Sequence, residues 1–133
     1  MPGSFFDTNV LVYIASSDPV RSERAARLIG KGGTISVQVL NELSNVARRK
    51  MRLSWTDLHA FLYAIRSLLR ICAVTIETHE AGLRLAERYD LSIYDSMIVA
   101  AALQTDCDLL WSEDMHNGLT IDSRLRIANP FAS

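Results

Sequence analysis

The chain has 133 residues, about half of them apolar and 22% charged, with a formal net charge of −1 at pH 7. That length suits one domain, expected to span 1–133 and to bury roughly two thirds of its unfolded surface, and the mixed composition excludes a long disordered tail. No apolar run reaches the ~20 residues that cross a bilayer. The start Met1-Pro2-Gly3-Ser4 has neither a basic flank nor an apolar segment of signal-peptide type, so a cytoplasmic location without membrane association is expected. Cys72 and Cys107 stand alone among apolar residues, which predicts buried reduced thiols and neither a disulfide nor a zinc site.

A strand ending near Asp7 is followed by an apolar stretch, Val10 to Ala15, that reads as the opening turns of a helix. Asp18-Pro19 has the pattern of an N-cap with proline at the first helical position, opening a second helix that Gly30, Gly32 and Gly33 stop. Thr34-Ile35-Ser36 reads as a short strand. From Val37 to Arg49 the apolar residues Val39, Leu40, Leu43, Val46 and Ala47 recur at helical spacing, with Glu42 bordering the stripe. Ser54 caps the next helix, whose inner stripe is expected to hold Trp55, Leu58, Phe61, Leu62, Ile65, Leu68 and Leu69. Ile71 to Ile76 reads as a buried strand, and Thr78 opens a helix expected to turn Leu83, Ala86 and Tyr89 inward. The helix from Tyr94 to Leu103 is apolar nearly all round, which predicts a central position, and Asp95 falls in its first turn. Asp108 to Trp111 is the next strand, and Leu125-Arg126-Ile127 a last one before Pro130. Strands alternating with helices imply an α/β fold, a mostly parallel central sheet flanked by helices on both faces.

Four acids stand in apolar settings where a carboxylate is out of place: Asp7, Glu42, Asp95 and Asp114. A buried carboxylate is costly unless it is paired, hydrogen-bonded or bound to a metal, and no Lys or Arg is close in sequence to Asp7, Asp95 or Asp114. In parallel sheets the functional crevice lies beyond the carboxyl ends of the strands. Asp7 and Asp114 follow predicted strands, Asp95 opens a helix, and Glu42 lies one turn into a helix that follows a strand, so all four can converge on one rim. Four oxygen donors of this kind suit Mg²⁺ or Mn²⁺ and metal-dependent phosphodiester chemistry. Asp7 and Asp95 are the preferred innermost ligands, with Glu42 and Asp114 direct or through water. Thr8, Asn9 and Ser112 are placed to hydrogen-bond these carboxylates and fix their rotamers. The blander reading of Asp7 or Asp95 alone is a helix N-cap.

These segments resemble, in this order and over nearly the whole chain, the PIN domain, and more narrowly the VapC-type ribonuclease toxins of prokaryotic toxin–antitoxin pairs. The resemblance rests on the Asp7-Thr8-Asn9 opening, on Ile35 to Leu43, on Tyr94 to Leu103, and on Ser112-Glu113-Asp114-Met115 followed by Gly118. It implies a three-layer α/β sandwich, a Mg²⁺ or Mn²⁺ site built from Asp7, Glu42, Asp95 and Asp114, and endonucleolytic cleavage of RNA. It further implies a homodimer and a small VapB-like antitoxin that enters the acidic groove. A Ser or Thr two residues before the acid is the family pattern, which favours Asp114 over Glu113 and leaves Glu113 solvated or peripheral.

Other readings fit less well. A haloacid-dehalogenase-type phosphatase needs a second acid two residues after the first, where this chain has Asn9. A receiver domain needs an acidic pair near its first strand and a late lysine, and the only lysines are Lys31 and Lys50. A noncatalytic PIN-fold module that binds RNA or protein is the alternative from another class. The run Arg48-Arg49-Lys50-Met51-Arg52 lies some 10 Å along a helix from Glu42 and suits RNA phosphates, or simply a solvated helix end. Trp55, Phe61 and Tyr63 suit base stacking, although Trp55 and Phe61 fit the core stripe better. Arg21, Arg24, Arg27 and the outer side of Leu58 to Leu69 are a candidate partner face. His59, His79 and His116 have no zinc-site spacing and read as surface or packing residues.

Overall fold

Phe5 and Phe6 are consecutive residues of the first strand, β1 (Ser4–Phe6), and both are fully buried. Neighbouring side chains on a strand point to opposite faces, so the sheet that contains β1 is covered on both. The computed structural model describes residues 3–132; Met1, Pro2 and Ser133, the ends of the expected 1–133 domain, lie outside the described residues. The further strands are β2 (Thr34–Ser36), β3 (Arg70–Cys72), β4 (Leu109–Trp111), β5 (Thr120–Ile121) and β6 (Leu125–Ala128), arranged in the order β3-β2-β1-β4-β6-β5. All neighbours run parallel except β5, which pairs antiparallel with β6 at the edge.

Among the described residues six helices connect them: α1 (Thr8–Val12), continued by a 3₁₀ turn over Tyr13–Ala15, α2 (Pro19–Gly30), α3 (Val37–Arg49), α4 (Trp55–Leu68), α5 (Ile76–Tyr89) and α6 (Ile93–Gln104). The chain steps from β1 to β2 to β3 in one direction, then returns past β1 to β4. Right-handed crossovers therefore put α1 to α4 on one face and α5 and α6 on the other, giving the three-layer α/β sandwich. Helix α6 has a buried run from Ser96 to Ala102, as its apolar circumference predicts.

Several local expectations change. Helix α5 opens two residues before Thr78, because Thr75 is its N-cap: the Thr75 hydroxyl accepts from the Thr78 amide and the Thr78 hydroxyl from the Thr75 amide, a reciprocal box. The strand before it ends at Cys72 and does not run to Ile76. The inner face of α5 is Thr78, Gly82 and Leu85, while Leu83 is 42% exposed. Gly82 sets that rotation: a Cβ there would stand 2.6 Å from Met97 Sδ, so the bare backbone lets α5 close on α6. On α4 the core takes Leu58 and Ile65, with Leu69 following the helix, whereas Trp55 and Leu68 are exposed. Trp55 is the first residue of its helix and meets Arg48 rather than the core. Cys107 is buried and Cys72 half-buried, both free.

Gly33 precedes β2 with φ +151°, and a Cβ there would meet Phe6 Cε2 at 2.6 Å and the Ser4 carbonyl oxygen at 2.8 Å. The second clash is with backbone of the central strand, which a rotamer change cannot relieve. Gly33→Ala is expected to cost about 2 kcal/mol or more, read as the loss of unfolding free energy in a urea titration at unchanged m-value.

Candidate active site

The sheet order places a topological switch point between β1 and β4, where the chain's two halves diverge and a crevice opens at the carboxyl ends of the strands. Asp7 is the first residue after β1, and Ser112, Glu113 and Asp114 follow β4. Serine 36 ends β2 and caps α3, which carries Glu42 on its second turn. Asp95 lies in the first turn of α6, whose N-cap is Ser92. All four carboxylates line one pocket of about 530 Å³, together with Thr8, Asn9, Tyr13, Asn45 and Lys50.

Asp7 is 5% exposed, and its carboxylate is held on three sides. Oδ1 accepts from the Thr8 amide at 2.7 Å, while Oδ2 accepts from the Ser112 hydroxyl at 2.7 Å and from Asn9 Nδ2 at 3.1 Å. It is thus an N-cap of α1 and a wall of the pocket at once. The same Asn9 Nδ2 donates to Asp114 Oδ2 at 3.1 Å, and Asn9 Oδ1 accepts from the Glu113 amide at 3.0 Å, so one amide ties the acids of β1 and β4. Thr8 donates its hydroxyl to Glu42 Oε1 at 2.6 Å. Gln38, one turn before Glu42, donates to Glu42 Oε2 at 3.2 Å and to the Tyr94 carbonyl at 3.1 Å, joining α3 to α6.

Burial lifts the Asp7 carboxyl from an ordinary 3.8 to about 6, against the lowering effect of the Ser112 and Thr8 hydrogen bonds; Asp95 and Glu42 add repulsion. Asp95 is raised as well, first by burial and then by Asp114 and Glu42, with Ser92 opposing. Among the described residues, however, no three acid, histidine or cysteine side chains stand close enough to make a ready-made metal-binding group.

Around this pocket the structure amends the sequence reading. Glu113 is not peripheral: partly exposed, it lines the same pocket, Arg21 pairs with it, Tyr13 donates to its Oε1 at 2.9 Å, and Arg21 also lies against the Tyr13 and Phe131 rings. Arg24 reaches the Pro130 carbonyl and Arg27 pairs with Glu23, so Arg21, Arg24 and Arg27 do not form a free basic face. Of the basic run, Lys50 lines the acid pocket; Arg48 stacks on Trp55 and donates to the Leu53 carbonyl, and Arg49 and Arg52 are exposed. Gln38, Asn45, Tyr13 and Arg21 join the site beyond the residues expected from the sequence. Gln38 and Asn45 had a signal, lying four residues before and three after Glu42 and so on its side of α3. The Arg21 and Tyr13 contacts with Glu113 are long-range and had none.

Residues 4–116 match the family model described as the PIN domain. The chain belongs to the PIN domain family. A comparison with curated protein sequences finds no match. Among solved structures, this PIN domain is similar to VapC20 of Mycobacterium tuberculosis, a toxin that cleaves the sarcin–ricin loop, at 22% identity and TM-score 0.67 over 84% of this chain and 91% of that one. It is similar to a toxin–antitoxin complex from Klebsiella pneumoniae at 19% identity and TM-score 0.74, over 96% and 98% of the two chains. It also resembles VapBC2 from Rickettsia felis bound to a promoter DNA fragment, at 21% identity and TM-score 0.68, over 95% and 97%. At these identities the likeness is one of fold.

Within this PIN domain, the Ser112 hydroxyl both donates to Asp7 Oδ2 at 2.7 Å and accepts from the Met115 amide at 3.2 Å. Ser112→Ala leaves a buried carboxylate oxygen and a buried amide each short of one partner. The expected outcome is a loss of about 1–3 kcal/mol at pH 7 and a further rise of the Asp7 pKa, followed by ¹³C NMR titration of the carboxyl.

Proposed function

We propose that this chain is a Mg²⁺- or Mn²⁺-dependent endoribonuclease and the toxin of a VapBC-type toxin–antitoxin pair. The observation that carries the reading is the convergence of Asp7, Glu42, Asp95 and Asp114 on one pocket at the switch point. The donor set suits a hard divalent cation: four carboxylates, all oxygen, two of them raised by burial and mutual repulsion. Asp7 and Asp95 would hold the ion directly, with Glu42 and Asp114 bound directly or through water. The ion's chemistry is to activate water at neutral pH and to stabilise charge on the phosphate oxygens.

The chain's own residues orient the rest. Ser112, Thr8 and Asn9 lock the Asp7 carboxylate, Asn9 holds Asp114, and Thr8 with Gln38 fixes both oxygens of Glu42. Lys50 at the pocket edge offers a cation to a phosphate of the substrate. The VapBC fold neighbours support a small VapB-like antitoxin as partner, silencing the pocket with a basic side chain among the carboxylates. An apolar groove of about 500 Å³ beside Glu42, with Val37, Val74, Ile93, Tyr94 and Met97 in its walls, supports a homodimer contact.

Incubation of the purified chain with total RNA, with and without Mg²⁺ or Mn²⁺, tests the reading directly. Cleavage only with the cation, leaving 5′-phosphate and 3′-hydroxyl ends, is expected. Undiminished cleavage in excess chelator, or 2′,3′-cyclic phosphate products, overturns the mechanism. Growth unaffected by expression of the chain alone, with no small neighbour co-purifying, removes the toxin role and leaves a nuclease. The spacing of the acids favours a second reading, a PIN-fold module that binds RNA or protein without cutting it; binding without metal-dependent products is its signature.

A further inference from the structure

Charge on this chain is segregated. The stretch from Arg48 to Arg66 carries five of the fourteen basic side chains and a single acid, Asp57, in a chain whose net charge is −1. The same stretch holds two of the most exposed aromatic side chains, Trp55 at 61% and Tyr63 at 76%. Trp55, His59 and Tyr63 recur every four residues along α4 and so line one face of it, with the Trp55 and His59 rings 6.5 Å apart.

This face runs on from the acid pocket. Helices α3 and α4 pack antiparallel: Arg48, at the end of α3, lies 4.2 Å over the Trp55 ring at the start of α4, while Asn41 and Ser44 share a groove of about 420 Å³ with His59, Tyr63 and Arg66. Asn45, one turn from Asn41 along α3, lines the acid pocket, as does Lys50. The exposed side of α3 is therefore a ridge of amides and cations with the four carboxylates on one flank and the aromatic row on the other. Arg48 is held in place by its bond to the Leu53 carbonyl at 2.7 Å, so the guanidinium and the indole are ordered together before any ligand arrives.

We propose that the α4 face carrying Trp55, His59 and Tyr63, with Arg48, Arg49 and Arg66 beside it, is a stacking platform for single-stranded RNA that continues the substrate path beyond the acid pocket; it rests on the reading of that pocket as an RNA-cleaving site. Single strands are held by aromatic rings on which unstacked bases lie and by cations that track the backbone, and the α4 face supplies both. A basic surface with exposed aromatics on an otherwise acidic chain complements RNA and not a cationic protein segment. The distance is short: seven residues of helix from Glu42 to Arg49 span about 10 Å, so a few nucleotides beyond the cut reach the platform. Discrimination then follows from RNA length and unpaired character as much as from the pocket.

The test measures binding of a fluorescein-labelled, unstructured 12-nucleotide RNA by anisotropy over a salt series, in an Asp95→Asn background that keeps the probe intact. Trp55→Ala with Tyr63→Ala is expected to weaken binding about tenfold or more, as two lost stacking contacts imply, without changing the salt slope. Trp55→Phe with Tyr63→Phe should stay within about threefold of the parent, since a phenyl ring still stacks. Arg48→Ala with Arg49→Ala should weaken binding and reduce the log–log salt slope by about one to two. In the Asp95-containing protein, the alanine aromatic pair should raise KM for long RNA while kcat is unchanged. Affinity unchanged in the alanine aromatic pair, or loss of self-association or of antitoxin binding in place of RNA binding, overturns the platform and makes α4 a protein-docking face. If the parent chain neither binds nor cuts RNA, the ribonuclease reading fails with it; if it cuts while ignoring Trp55 and Tyr63, the platform alone fails.

Discussion

Asp95→Ala is expected to remove RNA cleavage, a fall on the order of 10³-fold or more, while the protein stays folded. The separation of the two effects follows from position. Asp95 is the third residue of α6, and the cap of that helix is Ser92, so the helix start survives the change. Loss of an acid from a first turn costs about 0.3–1 kcal/mol. Against it stands the relief of a half-buried carboxyl that faces Asp114 and Glu42. Asp7→Ala is a less clean experiment, because Asp7 caps α1 and satisfies the Thr8 amide, the Ser112 hydroxyl and Asn9, and its removal adds about 1 kcal/mol or more of structural damage. Single-turnover cleavage with saturating Mn²⁺, beside circular dichroism melts of both variants, separates chemistry from folding. Cleavage by Asp95→Ala within tenfold of the unaltered chain would remove Asp95 from the reaction.

The parts of the site that could be read in the sequence are those whose chemistry conflicts with their setting. Asp7 follows two phenylalanines that fill opposite faces of the sheet, and a carboxylate there has to be explained by something beyond the core. The sheet itself was readable for the same reason: short apolar runs separated by capped helices leave few alternatives to a parallel α/β fold. Position 9 carries two kinds of information. The amide that rules out an acid-rich phosphatase start is the group that donates to Asp7 and Asp114 and accepts from Glu113. A carboxylate there would replace two donated bonds by repulsion. Other features depended on contacts that periodicity does not encode. The phase of α5 was set by Gly82 against Met97, the partner of Trp55 by Arg48 reaching across from α3, and the fate of Glu113 by Arg21 some ninety residues away. The edge strand β5 is two residues long, too short to carry an alternating pattern.

Asp7→Asn is expected to stabilise the metal-free protein at pH 7–8 and to abolish most of its response to divalent cation. The folded Asp7 carboxyl titrates at about 6, above its ordinary 3.8. Between these values the folded state holds a proton that the unfolded chain has released, so stability falls as pH rises through that window and levels off above it. Two pKa units correspond to roughly 3 kcal/mol, the upper bound of what the substitution can recover. Asparagine remains a good N-cap, so the bond from the Thr8 amide is kept. Its amide group then faces the Ser112 hydroxyl, which can turn to accept, and Asn9 Nδ2, which cannot. The net gain is therefore about 1–2 kcal/mol. In the unaltered chain, free Mg²⁺ or Mn²⁺ at ~100 times its dissociation constant should add about 2.7 kcal/mol, a rise of roughly 10 °C in Tm. Melts from pH 4 to pH 8 with and without cation check both halves: the unaltered chain should lose stability between pH 4 and 6 and regain it with metal, whereas Asp7→Asn should show a flatter profile and little metal shift. A metal-free Asp7→Asn protein that melts lower than the unaltered chain at pH 8, with the cation response intact, would mean that the carboxylate serves the fold as a cap and is not where the cation binds.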